Sequence, residues 1–476
     1  VAQTIVINNK NTSILIISWV LLLNGCSLFN IIHPKPTAIE IPANWSSDKA
    51  VKNSDSTSLA RWWIRFNDPL LIELVDTALK TNMSVNSAKA ALIEARSLRD
   101  VTEALLWPTV DGTASIQRSK SGHNKPINNF SVGLDAGWEV DIFGKNRSGL
   151  KAAEATAQAS EANLGDIQVS ISAEVAIDYI ALRSAQSRLI IANFNLTSQL
   201  ETLQITEWRS QAGLVASLDV EQARVSAEQT RSQIPPLLTS VEQLSHALAV
   251  LTGQPPATLI AKLSIVSPVP KAANKIAIKF PAETLRQRPD VRASELRVSS
   301  ELALLEQSEA ARLPNFKLNG SLGLNALTFG SLTGGGSVIS SVLANVAMPL
   351  FDAGSRLAKV RAQEAVLQQS RFAYQATVLK ALQEVEDALV ALSGDIQRFS
   401  GLKLAADAAN SAAVMARQSY ESGLIDFQTV LDTQRSLLTS QDSVASAGAD
   451  VSTDHVRLYK ALGGGWVNTD STNPLN

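Results

Sequence analysis

The chain has 476 residues, 45% apolar and 18% charged, with a net charge of −2 and an isoelectric point near 6.2. That balance excludes a general nucleic-acid binder, which needs a basic surplus, and the single cysteine, Cys26, excludes a disulfide framework or a cysteine-built zinc site. His33, His123, His246 and His455 lie far apart, and no run of 18 apolar residues offers a membrane-spanning helix.

In chain order, the first element is a targeting segment. Lys10 is the only charge in residues 1–25, and the apolar run Ile14 to Leu23 is too short to span a bilayer. It fits a signal-peptide core, and the following Leu23-Asn24-Gly25-Cys26 resembles a bacterial lipobox, with Asn24 where a smaller residue is usual. The expectation is cleavage after residue 25 and a covalent lipid on Cys26. Ser27 after the cysteine, by resemblance to bacterial lipoproteins, favours delivery to the outer membrane.

The remainder reads as a duplicated unit. Asn82 to Pro108 parallels Arg288 to Pro314, Asp141-Ile142-Phe143-Gly144 echoes Pro349 to Gly354, and Gly213-Leu214 echoes Gly423-Leu424. Each unit predicts a short helix, a β-hairpin, a long helix and a second short helix. The units span 69–254 and 284–462, after an N-terminal segment 26–68, with a proline-rich linker 255–283 between them and a tail 463–476.

The hairpins fall at 109–142 and 315–351. From Phe130 to Ile142 every second residue is apolar, with Asp135, Glu139 and Asp141 on the opposite face, and Phe316 to Leu324 alternates likewise with Lys317 on its polar side. The long helices, 145–212 and 353–422, hold no proline. In the second, Leu357, Val360, Glu364, Leu367, Arg371, Tyr374, Val378, Ala381, Val385, Ala388 and Leu392 form a coiled-coil seam. The short helices are expected at 69–107, 214–252, 284–312 and 424–462, stacked end to end in pairs beside each long helix. Pro235-Pro236 is expected to kink or break the second of them.

Four strands with one apolar face and open edges cannot sit in a membrane alone. Barrels close at eight strands or more, so closure requires two chains, three chains or more.

These residues resemble the outer-membrane factor (TolC-like) family, in its lipoprotein branch serving RND-type tripartite efflux systems. The resemblance rests on Trp62-Trp63 with Phe66-Asn67-Asp68-Pro69, Trp138 to Gly144, Leu285 to Arg292, Pro349 to Gly354, Tyr420 to Gly423, Val430 to Ser436 and Leu462 to Trp466. It implies a mainly α protein with membrane β: a homotrimer whose twelve strands form one outer-membrane barrel, continued by a long α-helical periplasmic tunnel. It implies a periplasmic adaptor and an inner-membrane, proton-driven transporter as partners, with outer-membrane lipid around the barrel and no cofactor beyond the lipid on Cys26.

By the same resemblance, the turns after the long helices are the periplasmic tips. Arg209, Gly213, Leu214, Ala216 and Ser217 match the adaptor-contact pattern of the first tip, and Gly423 and Leu424 that of the second. Tyr420, Ile425, Asp426 and Arg435 are gate candidates. For Asp426 the alternative is a plain helix-start carboxylate, and for the glycines plain helix stops. The expected function is a passive outlet for drugs or other small amphiphiles. Type I protein secretion and heavy-metal efflux are alternatives on the same fold, and a structural coiled-coil lipoprotein without a pore is one of a different class. No phosphate loop, nucleophile elbow or zinc-protease motif suggests an enzyme.

Overall fold

The computed structural model describes Trp45, residues 59–272 and residues 281–466. The signal segment and Cys26 lie outside the described residues. The chain divides into residues 1–40 and 41–476, and every described residue belongs to the second unit.

Four strands form one antiparallel sheet in chain order: β1 Thr109–Ser119, β2 Ile127–Val140, β3 Asn315–Ala326 and β4 Val338–Ala347. The two hairpins are therefore joined through β2 and β3. Register makes the faces uniform: Val132 faces Leu324, Leu134 faces Leu322, and Trp138 faces Leu318, while Asp135 faces Ser321 and Glu139 faces Lys317. A period of two puts these sets on opposite sides. The duplication reaches single hydroxyls. Ser115 and Ser131 pair across the first hairpin at 2.7 Å, and Ser321 and Ser341, their counterparts, pair across the second at 2.7 Å. The outer edges of β1 and β4 have no partner strand among the described residues.

The helices are α1 Pro69–Thr81, α2 Met83–Ala104, α3 Lys145–Gln211, α4 Ser217–Leu251, α5 Ile260–Leu263, α6 Pro281–Gln287, α7 Pro289–Ala310, α8 Ser355–Glu421 and α9 Phe427–Ala461. Both α3 and α8 have 67 residues, about 100 Å at 1.5 Å per residue. Along α3 pack α2 and α4, and along α8 pack α7 and α9; α3 also meets α7 and α9, which ties the repeats together. The α8 seam is the buried stripe, with Val360, Leu367, Val378, Ala381, Val385 and Ala388 all below a tenth exposed.

Three sequence expectations need correction. Residues 69–107 are two helices, because Asn82 stops α1 and its side chain then accepts from the Ser84 and Val85 amides to start α2. Residues 284–312 are likewise two, because Arg288 is extended and Pro289 opens α7, where a missing N–H costs nothing. Conversely, of the kink or break expected at Pro235 and Pro236 the break does not occur, and α4 runs through both. That stretch is exposed, so water can reach the carbonyls whose partners are lost.

These breaks are joints. At the first, α4 ends against α2: Asn82 Nδ2 donates to Leu251 O (2.9 Å), Thr81 Oγ1 donates to Thr252 O (2.7 Å), and Gly253 turns the chain at φ +71°. At the second, α9 ends against α7: Arg288 Nη1 donates to Ala461 O (2.8 Å), and Gly463 turns the chain at φ +74°. The residues correspond through the duplication. A Cβ on Gly253 would meet Thr81 O at 2.6 Å, and one on Gly463 would meet the Arg288 Cα at 3.0 Å.

Around the joints lies the main core. Trp62 stacks on Tyr459 (5.4 Å) and packs with Trp63, Phe66, Leu71, Val175 and Leu248. Asp68 accepts from the Leu70 and Leu71 amides and from Tyr179 Oη (2.9 Å). Trp466 donates to Gln287 O (3.0 Å) and fills the space beside Gly165. The segment between the repeats is strapped down: Gln186 reaches Leu263 O (2.7 Å), Arg183 reaches Ile265 O (2.6 Å), and Ser452 reaches Pro270 O (2.8 Å).

Candidate functional site

The first tip closes α3 with Ala212 and Gly213, the latter at φ +71°, and Leu214 N returns to Arg209 O (2.8 Å). The second repeats it: Gly423 stands at φ +73°, and Leu424 N returns to Ser419 O (2.8 Å). This bond satisfies a helix-end carbonyl, and positive φ is the reason for glycine at both turns. Leu214, Ala216, Ser217, Gly423 and Leu424 are exposed, with Leu214 and Leu424 presenting 69% and 78% of their surface.

The structure brings an adaptor-contact candidate and a gate candidate together across the tips. The Arg209 guanidinium lies over the Tyr420 ring, 4.7 Å from its centre, and Tyr420 packs on Phe427 at 5.3 Å. Burial raises the Tyr420 phenol above its ordinary value, with Arg209 pulling against it. Ile425 is half-buried on the same cluster, whose centre is Ala223, Phe427, Val430 and Leu431. Ala223 and Phe427 were missed in the sequence, and Val430 and Leu431 entered only through the resemblance, although the spacing Phe427, Val430, Leu431 is an apolar helix face. Asp426 is the N-cap of α9: its carboxylate accepts from Thr429 N (2.8 Å) and Thr429 Oγ1 (2.6 Å), which hold it below the usual range. Arg435 lies about two and a half turns on and pairs with Asp432 at 3.7 Å, not with Asp426.

The other end is the sheet. Asp135 and Glu139 share a face with Lys317; Asp135 accepts from Thr113 Oγ1 (2.9 Å), and Glu139 pairs with Lys145 (3.0 Å). Asp141 lies past the end of β2, where it accepts from Arg147 N (2.9 Å) in the first turn of α3. The opposite face carries Phe316, Leu318, Gly320, Leu322 and Leu324 on β3 with no polar side chain among them, and strands of this length tilted by about 40° span the 25 Å or so of an outer-membrane apolar band. No helix among the described residues is long and apolar enough to cross a membrane, and no cluster of metal-ligating side chains occurs among them.

A model of the outer membrane efflux protein family matches residues 74–254 and 280–464. The chain belongs to the outer membrane efflux protein family. The solvent efflux pump outer membrane protein SrpC of Pseudomonas putida is 30% identical over 458 residues, covering 94% of this chain and 97% of SrpC. Nodulation protein T of Rhizobium leguminosarum bv. trifolii is 29% identical, covering 94% of this chain and 96% of its own. Among solved structures, the outer-membrane channel OprN superposes with a TM-score of 0.82 at 32% identity, covering 90% of this chain and 99% of OprN. The open-state MtrE channel of Neisseria gonorrhoeae gives 0.78 at 25%, covering 90% and 98%. This outer membrane efflux protein is the outer-membrane channel component of a tripartite efflux pump, with the sheet in the membrane and the helices in the periplasm.

Proposed function

We propose that three copies close the sheet into a twelve-stranded barrel and that the resulting tube is a passive outlet for small amphiphilic compounds. The observation that carries this reading is the pair of open flanks. The edges of β1 and β4 lack partners among the described residues, and in the helices next to them in sequence α2 exposes Ile93, Leu98 and Val101 while α8 exposes Phe372, Leu379, Val390 and Leu404. Unpaired strand edges are not tolerated in lipid, and apolar helix flanks of this extent call for a covering partner. A neighbouring copy offers the complementary flank to both. The solvent efflux role of SrpC supports small apolar cargo.

The tips present exposed leucines on rigid, glycine-stopped turns, which suit a periplasmic adaptor delivering cargo from an inner-membrane RND-type transporter. The Arg209–Tyr420 contact and the Asp426 cap belong to the second tip's closure in this reading. The lipid expected on Cys26 would add a membrane anchor. The test is in-cell photocrosslinking from Ala216 and Ile425, with the native mass of the extracted protein. Recovery of an adaptor together with a trimeric mass is expected, and the adaptor's pump type separates drug, metal and protein export. Self-crosslinks alone, in cells expressing the pump, would favour a closed structural coiled coil.

A further inference from the structure

The barrel's two ends treat charge differently. At the periplasmic end three cations are paired within the chain, Lys145 with Glu139 (3.0 Å), Arg147 with Asp141 (3.4 Å) and Arg356 with Asp352 (3.8 Å), and carboxylates alternate with the cations. At the outward end, the first hairpin carries Arg118, Lys120, His123 and Lys125, yet no carboxylate occurs between Asp111 and Asp135. The second hairpin has no charged residue from Leu318 to Phe351. All four basic side chains are exposed, and none has an ion-pair partner among the described residues.

Register places Arg118 on the membrane side. It faces Asn128 one step above the Ile116–Phe130 pair, and Ile116 and Phe130 belong to the apolar face. Arg118 thus tops the lipid-facing side of β1. Directly below it, the connection between β3 and β4 folds back over the sheet, with Phe329 edge-on to Phe130 at 6.1 Å. The fold leaves a cleft of about 290 Å³ lined chiefly by Ala114, Ile116, Phe130, Val132, Phe329 and Leu332.

We propose that this lip is a binding site for a phosphorylated, acylated lipid of the outer leaflet. An acyl chain occupies the cleft, and Arg118, with Lys120 and Lys125 above it, receives the phosphate. Arginine pairs with phosphate through two parallel hydrogen bonds, and exposed cations beside an anionic leaflet attract it without any cost of burial. A soluble anion uses the cations but leaves the apolar cleft empty, and a neutral lipid does the reverse. The juxtaposition of both on the lipid-facing side selects a ligand that has both parts.

The test uses full-length protein purified in detergent, with three probes: phosphorylated lipid A, the same lipid after phosphatase treatment, and inorganic phosphate. Wild type is expected to bind phosphorylated lipid A best. Arg118→Gln is expected to weaken it about fivefold, and the triple variant R118Q/K120Q/K125Q on the order of a hundredfold, with the thermal melt unchanged. Phe329→Ala is expected to weaken both lipids while leaving the difference between them. Equal binding of the two lipids, displacement of lipid A by inorganic phosphate, or wild-type affinity in the triple variant would each overturn the proposal.

Discussion

Where α4 ends against α2, the last carbonyl is met by the neutral amide of Asn82; where α9 ends against α7, at the duplicated position, it is met by the guanidinium of Arg288. Helix ends leave carbonyls that something must satisfy, so both repeats need a donor there. The first joint supplies one that also caps α2 and needs no further company. The second supplies a buried cation, which must then be balanced, and it is: Arg288 Nη2 meets Asp290 and Glu384, each at 2.7 Å. Burial lowers the guanidinium's affinity for its proton, and the bonds and charges of Asp290 and Glu384 outweigh that, leaving it above its ordinary value. The same duty is met by a local cap in one repeat and by an ionic cluster in the other.

That difference can be broken directly, with the largest effect expected at the charged joint. Arg288→Ala leaves Ala461 O without its donor and two carboxylates without a cation. The expected loss is about 2–4 kcal/mol, below the full cost of a buried pair because Glu384 is two-fifths exposed. Asn82→Ala loses a cap and one hydrogen bond, about 1–2 kcal/mol. Denaturant melts of the extracted protein measure both. Equal losses would show that the carboxylates add nothing to the joint.

The contrast recurs where α8 meets α9. Asp454 on α9 faces Asp395 on α8, at positions that the first repeat fills with Leu244 and Ala185. Burial, with Asp395 adding to it, pushes Asp454 up to about 6 from 3.8, partly opposed by Arg457 at 3.1 Å; Arg398 faces Asp395 at 3.2 Å. Because the folded value lies above the unfolded one, the stability is present below about pH 4 and lost as the pH rises through about 6. Asp454→Asn is therefore expected to stabilise the protein by about 1–2 kcal/mol at pH 7.5 and to converge with wild type near pH 4. Parallel melts at the two values check it, and a gap independent of pH would sink the idea.

Much of this architecture was legible. Alternation from Phe130 to Ile142 gives the strand and its two faces, and the proline-free stretches after Gly144 and Gly354 give the long helices. The joints were not legible, for a physical reason: Asn82 and Arg288 act on carbonyls 169 and 173 residues away in sequence. Local pattern sees only helical composition on either side. Pro289 after Arg288 was the available signal, since proline opens helices more readily than it continues them. Residues that carry the family resemblance, Trp62, Asp68, Arg288 and Trp466, turn out to hold the middle of the tunnel together. At the tips, glycine marks the turns plainly, but the packing of Arg209 on Tyr420 joins helices from different repeats and has no local signature.

The smallest expected effect sharpens the comparison at the tips themselves. Ala216 and Asp426 occupy the same duplicated position, each the residue before a short helix. Only Asp426 accepts hydrogen bonds, both from Thr429, whereas Ala216 offers no side-chain cap. The second tip is thus fixed at its helix start and the first is not. Asp426→Ala is expected to destabilise the start of α9 slightly, and Ala216→Ser to stabilise the start of α4 by less, because a serine there can serve the first amides of α4. The carboxylate is held below its ordinary 3.8, so its contribution is whole at neutral pH and fades only as the pH falls below that value. Hydrogen exchange at the first turns of α4 and α9 reads each change locally. If Asp426→Ala speeds exchange in α9 at pH 7 while Ala216→Ser slows it in α4, the repeats differ at the tips as they do at the joints, by which one carries the charged cap. If neither rate moves, the tip turns are set by their glycines alone, and the asymmetry stops at the joints.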